Sequence, residues 1–182
     1  TNCTISNNIG GGIQGLYNSV IENTNISGNK ILVSTAGGAG IQSISNSTLT
    51  NVTISNNLSL NGQGGGIEMQ NNSGDVVFEN VTITNNRAQK GGGIYISVNN
   101  PEEHGILFSD TEKCNIYENY ALSGTDIWIN GDLSPQLNVV VDTFTVATPT
   151  DYYAYPVSNI TFDITNHSID PIVGDIYVDP AG

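Results

Sequence analysis

Apolar residues recur along the first 120 positions of the chain on a two-residue beat, not a helical one. Thr4-Ile5-Ser6, Thr53-Ile54-Ser55 and Thr82-Ile83-Thr84 each set one β-branched apolar residue between polar neighbours. That is the alternation of a strand with one buried face. Five such blocks carry Ile5, Ile26, Ile54, Ile83 and Ile116, and three residues after each stands Asn8, Asn29, Asn57, Asn86 or Asn119. Further along each copy, Ile13, Ile41, Ile67, Ile94 and Ile127 follow Gly12, Gly40, Gly66, Gly93 and, in the last copy, Asp126. These second isoleucines lie 28, 26, 27 and 33 residues apart. A unit of that length cannot bury a face alone and must stack on its neighbours, which is the signature of a solenoid.

Stacked copies put equivalent residues in ladders about 4.8 Å apart. The two isoleucine series then line two inner faces, and Val20-Ile21, Leu49, Val77-Phe78 and Leu107-Phe108 suggest a third strand per coil. Three faces with parallel stacking predict an all-β, right-handed parallel β-helix of about five coils over residues 1–131. Glycine and asparagine supply the positive-φ corners such a coil turns through. Asn8, Asn29, Asn57, Asn86 and Asn119 are expected to form a structural ladder. The amides pass hydrogen bonds along the axis, and each asparagine is placed in the left-handed region.

The segment "ITNNRAQKGGGIYI" (Ile83 to Ile96) resembles the repeats of the polymorphic outer-membrane proteins, which pair F-x-x-N with GGA-[ILV]. More broadly, residues 1–131 are similar to right-handed β-helix repeat proteins of the pectate-lyase-like superfamily. The chain departs from the first pattern in having Ile before x-x-N, and GGG or GAG in place of GGA. The resemblance implies the β-helix fold, an extracellular or cell-surface setting and a commonly adhesive role. It names no partner.

Charge divides the chain unevenly. Residues 1–91 hold four acids and three bases, whereas residues 92–182 hold thirteen acids and one base, Lys113, within a net charge of −13. Nucleic acid is therefore not an expected partner, because phosphate binding needs clustered Lys and Arg. Nor does any apolar stretch approach the length of a transmembrane helix, so no membrane insertion is expected. Cys3 and Cys114 share one inward register with Thr24, Val52 and Val81. Four coil steps, roughly 19 Å, exceed the limit of about 7 Å between bridged Cα atoms, so both read as free, buried thiols. Nine sequons, at Asn2, Asn25, Asn46, Asn51, Asn57, Asn71, Asn80, Asn159 and Asn166, arise largely because strands are written Asn-x-Thr/Ser.

Residues 132–182 lose the repeat but keep strand-like stretches, with seven acids, no base and prolines at 135, 149, 156, 171 and 180. They are expected to form a β-rich acidic extension: irregular closing coils, a small β appendage that caps the open end, or the link to a following β-helix unit. The closing "DIYVDPAG" resembles the opening phrase of β-helix domains. The chain also opens mid-motif at Thr1-Asn2-Cys3, as a fragment or processed product would.

Chemistry must sit on outward positions. Gln14, Gln42, Glu68, Tyr95 and Trp128 follow the second-block isoleucines. Tyr95 and Trp128, on adjacent coils, suggest a sugar-stacking platform bordered by Glu68, unless the tail or the 98–105 insertion packs over them. A polysaccharide lyase on this fold would need a base and calcium. Arg87 is the candidate base, on a ladder with Leu58 and Lys30, but no acid cluster stands beside it. Glu68 and Asp126, two coils apart, make a poor glycosidase pair. His104 and His167 lie in the insertion and the tail, outside any catalytic pattern. Glu102, Glu103, Asp110 and Glu112 are weak calcium candidates that lack a recognised ligand spacing. Outward Thr and Ser rows such as Thr4/Ser6 and Thr53/Ser55 are too interrupted for an ice-binding surface. The expectation is a non-enzymatic structural or adhesive module that self-associates through its ends into a rod, with polysaccharide as the ligand class. A calcium-assisted polysaccharide lyase using Arg87 is the alternative.

Overall fold

A computed structural model describes residues 1–33, 37–70, 74–102 and 105–169. All its regular elements are strands except one short 3-10 turn, Val157–Asn159. The largest sheet among the described residues has nine strands: β1 (Thr4–Ser6), β3 (Val20–Ser27), β6 (Ser47–Ser55), β9 (Val76–Glu79), β10 (Thr82–Thr84), β12 (Ile106–Phe108), β13 (Cys114–Tyr117), β15 (Leu137–Phe144) and β17 (Ile160–His167). A second, six-stranded sheet stacks β2 (Ile13–Tyr17), β5 (Ile41–Ser45), β8 (Ile67–Gln70), β11 (Ile94–Ser97), β14 (Ile127–Asn130) and β16 (Ala154–Tyr155). A short third face pairs β4 (Lys30–Ile31) with β7 (Leu58–Ser59) and continues as single bridges through Arg87 and Tyr120.

Every strand pairing is parallel, and the sequence ladders set the register. Ile5 pairs Ile26, Ile26 pairs Ile54, Ile54 pairs Ile83 and Ile83 pairs Ile116. Ile13, Ile41, Ile67, Ile94 and Ile127 align in the same way. The third strand also forms where the sequence places it, with Leu49 opposite Phe78 and Phe78 opposite Phe108. It lies in the nine-stranded sheet, because β3 and β6 run on from one face into the next. Asn23 and Asn51 within these strands have positive φ, as does Asn80 between β9 and β10. Their left-handed geometry bends the sheet without breaking its ladder. The inward residues form one dry core containing Ile26, Ile54, Ile83, Met69, Phe78 and Phe144, all fully buried.

Two expectations are corrected here. First, the left-handed residue at the amide corner is the one before each ladder asparagine: Asn7, Gly28, Asn56, Asn85 and Glu118 all have positive φ. The ladder asparagines themselves turn inward, which frees their side chains to run along the axis. Second, Cys3 is exposed while Cys114 is buried, although both are free. Cys3 belongs to the first coil, which has a neighbour on one side only. Burial pushes the Cys114 thiol up to about 11, so it behaves as a small core hydrophobe. Residue 131 ends the sequence repeat but not the stack, as irregular closing coils would. β15 pairs with β13, β17 with β15, and β16 with β14, so the described part of the extension adds parallel strands to both large sheets. The "DIYVDPAG" phrase lies outside the described residues.

Candidate functional site

The amide corner is a continuous chain of side-chain hydrogen bonds along the axis. Asn8 Nδ2 donates to Asn29 Oδ1 at 2.8 Å, Asn29 to Asn57 at 3.0 Å, Asn57 to Asn86 at 2.9 Å and Asn86 to Asn119 at 3.1 Å. The same Oδ1 atoms accept the backbone N–H of the preceding ladder asparagine, and a second Nδ2 proton reaches a backbone carbonyl such as Ile26 or Ile54. Asn29, Asn57 and Asn86 are at most 1% exposed. Buried amides of this kind are tolerated only when each donor and acceptor is matched. Asn57 therefore lies inside the wall, although its sequence matches a glycosylation sequon.

The glycine series explains itself against this ladder. A Cβ on Gly66 would stand 2.6 Å from the Gly93 carbonyl oxygen and 3.1 Å from Asn86 Nδ2, and Gly12, Gly40 and Gly93 are equally crowded. Asp126 takes the same position in the last copy. The asparagine ladder ends at Asn119, and the Asp126 carboxyl accepts from Asn119 Nδ2 at 2.9 Å and from its backbone N–H at 3.3 Å. Asp126 is fully buried and its Oδ2 has no hydrogen-bond partner. Burial pushes this carboxyl up to about 7, against the pull of the Asn119 amide.

The outward strip runs in register through Gln42, Glu68, Tyr95, Trp128 and Tyr155. Tyr95 and Trp128 are adjacent, as expected, but they do not present an open platform. Tyr95 is 5% exposed. The left-handed glycine turns fold back over this strip: added Cβ atoms on Gly91 and Gly124 would lie 3.1 and 3.2 Å from the Trp128 side chain. Tyr155, from the extension, stacks on Trp128 with ring centroids 4.2 Å apart, and Lys90 Nζ stands 4.5 Å from the ring centroid. Trp128 Nε1 is buried without a hydrogen-bond partner. Burial raises the Glu68 carboxyl, against hydrogen bonds from Gly37 and Gln42. Burial and the neighbouring Glu68 charge raise the Tyr95 hydroxyl. Trp128 is therefore covered by the extension and the glycine turns.

The remaining candidates are not gathered into one place. Glu68 faces out and Asp126 faces in, so they do not form a carboxylate pair. Glu102, Asp110 and Glu112 sit on exposed turns, and Glu103 and His104 lie outside the described residues. Among the described residues there is no group of three or more His, Cys, Asp or Glu that could hold a metal ion. Arg87 is exposed on the third face, in line with Leu58 and Lys30 as expected, and Tyr120 continues the row. Sequence reasoning missed Tyr120. The signal was present, since it follows Asn119 just as Arg87 follows Asn86 and Lys30 follows Asn29.

Parallel ladders of this length, an inward amide corner and three strand faces per coil agree with one comparison to known proteins. A family model described as a right handed beta helix region matches residues 1–123. The chain belongs to the right-handed β-helix family. Neither the curated proteins nor the solved structures returned a match to it. Four strands, β14 to β17, lie beyond the matched range; from β15 onward the asparagine and glycine motifs are lost but the parallel pairing persists. No helix among the described residues is long and apolar enough to cross a membrane.

Proposed function

We propose that this β-helix is an extracellular or cell-surface structural and adhesive module. It serves as a length of rigid rod that associates end to end and contacts polysaccharide. The observation that carries this reading is the continuous parallel register of the nine-stranded sheet, in which each coil is held only by its neighbours. Such a stack extends by adding coils, and its outermost coil offers the same surface that its inner coils bury. Copies stacked coil on coil in the same register would pair backbone edges and bury apolar surface between them.

Sedimentation velocity over a hundredfold range of protein concentration tests the association. The reading predicts a sedimentation coefficient that rises with concentration as elongated species form. A single monomeric boundary at every concentration would count against it.

A further inference from the structure

The few charges of residues 1–91 are sorted by face. Three of the four acids gather on the outer side of β3, β6 and β9. Glu22 and Glu79 point out from β3 and β9, and Asp75 lines the shallow groove beside Val20, Val77 and Leu107. The fourth acid, Glu68, belongs to the outward strip. The three bases stand elsewhere: Lys30 and Arg87 on the third face, and Lys90 over the Trp128 ring.

The two charged rows keep the same spacing. Glu22 aligns with Thr50 and Thr50 with Glu79, while Lys30 aligns with Leu58 and Leu58 with Arg87. Each row reads charge, neutral residue, charge, with its charges two coil steps or about 10 Å apart. Exposed apolar side chains border both rows. Val20 is 63% and Leu107 43% exposed on the acid face, and Leu60 and Leu122 are 44% and 80% exposed on the third face. Glu22, Glu79, Lys30 and Arg87 make no ion pair among the described residues, where the one salt bridge joins Lys113 to Asp163. Going round a coil, the β10-type strand and the amide corner separate the two faces on one side. The glycine turn and the outward strip separate them on the other. The faces therefore look away from each other, and one molecule can offer each to a different neighbour.

We infer that a second copy of this chain docks side by side with the first, axes parallel, its third face against the acid face. Lys30 then meets the neighbour's Glu22 and Arg87 the neighbour's Glu79, with the apolar borders packed beside them. Both pairs lie on the same two coils, so the common coil repeat keeps them matched without an axial slip. Like faces do not pair, because that sets bases against bases or acids against acids. The contact is heterologous and a sideways translation does not close it, so it spreads into a row of aligned β-helices. It adds width to an assembly, whereas the end-to-end joint proposed above adds length.

Sedimentation velocity of the full chain at about 0.02 M and about 0.5 M salt tests the pairing, because exposed charge pairs are screened at the higher value. Association is expected at low salt and should weaken about tenfold or more at high salt, whereas end joints made by apolar burial persist. At low salt, Arg87→Glu alone and Glu79→Lys alone should each weaken association about tenfold. An equimolar mixture of the two variants should recover it. Each reversed face then meets its reversed complement, and each unchanged face meets an unchanged one. Circular dichroism of both variants controls for folding. Association that ignores salt, wild-type behaviour of either variant, or no recovery in the mixture would overturn the inference. Electron micrographs of the same samples separate the two contacts, since side pairing changes width and end joining changes length.

Discussion

The repeat coils and the extension use the same parallel sheets but different cohesion. Over residues 1–131 each coil is fixed by a polar device, the amide chain from Asn8 to Asn119, buried from Asn29 onward, with glycine opposite because no Cβ fits. Beyond it, β15 and β17 pair along nearly their whole length without a buried asparagine ladder, and the Asn138 and Asn166 side chains bond to Thr161 and Asp142 at exposed positions. Aromatic contacts hold this part: Phe144 packs edge-on to Phe162 with ring centroids 5.4 Å apart, and Tyr155 stacks on Trp128. Asp126 stands at the change, ending the polar chain where the aromatic packing begins. A directional, fully satisfied ladder needs a strict sequence repeat. Apolar packing tolerates irregular coils, which is why the repeat can stop before the stack does.

The sharpest way to break the contrast is Asn86→Leu. It leaves two Asn57 donors without Asn86 Oδ1 and removes the donor to the Ile54 carbonyl. With about 1–3 kcal/mol for each buried group left unpaired, the expected loss is on the order of 4 kcal/mol in urea unfolding. A cost below about 1 kcal/mol would mean that the ladder is not what fixes these coils.

The boundary residue gives a pH signature. The Asp126 carboxyl, held up to about 7 from 3.8, keeps its proton in the native chain at pH values where the unfolded chain releases it. Stability from this group therefore falls as pH rises from about 4 to about 7, by about 1.4 kcal/mol per pH unit, and levels off above. Asp126→Asn keeps an acceptor for Asn119 and cannot ionise. Unfolding curves of the two proteins should diverge with rising pH in the variant's favour, and parallel curves would contradict the buried carboxyl.

On the aromatic side, Phe162→Ala removes a half-buried ring and should cost about 2 kcal/mol in the same urea unfolding. Smallest is Tyr155→Ala, which gives up a single stack worth about 1 kcal/mol. Its second readout is a rise in solvent quenching of Trp128 fluorescence, since that indole would lose its cover. Unchanged quenching would show that the glycine turns alone bury the ring.

Much of the architecture was legible because solenoid registers are written directly as repeats. The isoleucine ladders, the third strand through Leu49 and Phe78, and the asparagine series all pair as their spacing predicts. The site was less legible. Alternation puts Trp128 on the outside of its strand but says nothing of glycine turns folding back across it. The spacing finds the corner but not which residue takes positive φ, and the structure assigns that to Asn56 and Asn85, one place earlier than expected. Asp126 in place of a repeated glycine was a visible departure. Its meaning depends on the missing next asparagine, a fact about three-dimensional stacking. Tyr120 was overlooked because attention went to the strip after the second isoleucine, whereas its row follows the first.

Electron microscopy of the protein from its native source, at near-physiological salt, tests the rod most directly. The account predicts fibres whose axial repeat of about 4.8 Å runs unbroken through the joints between chains. Dispersed particles one chain in length would contradict it.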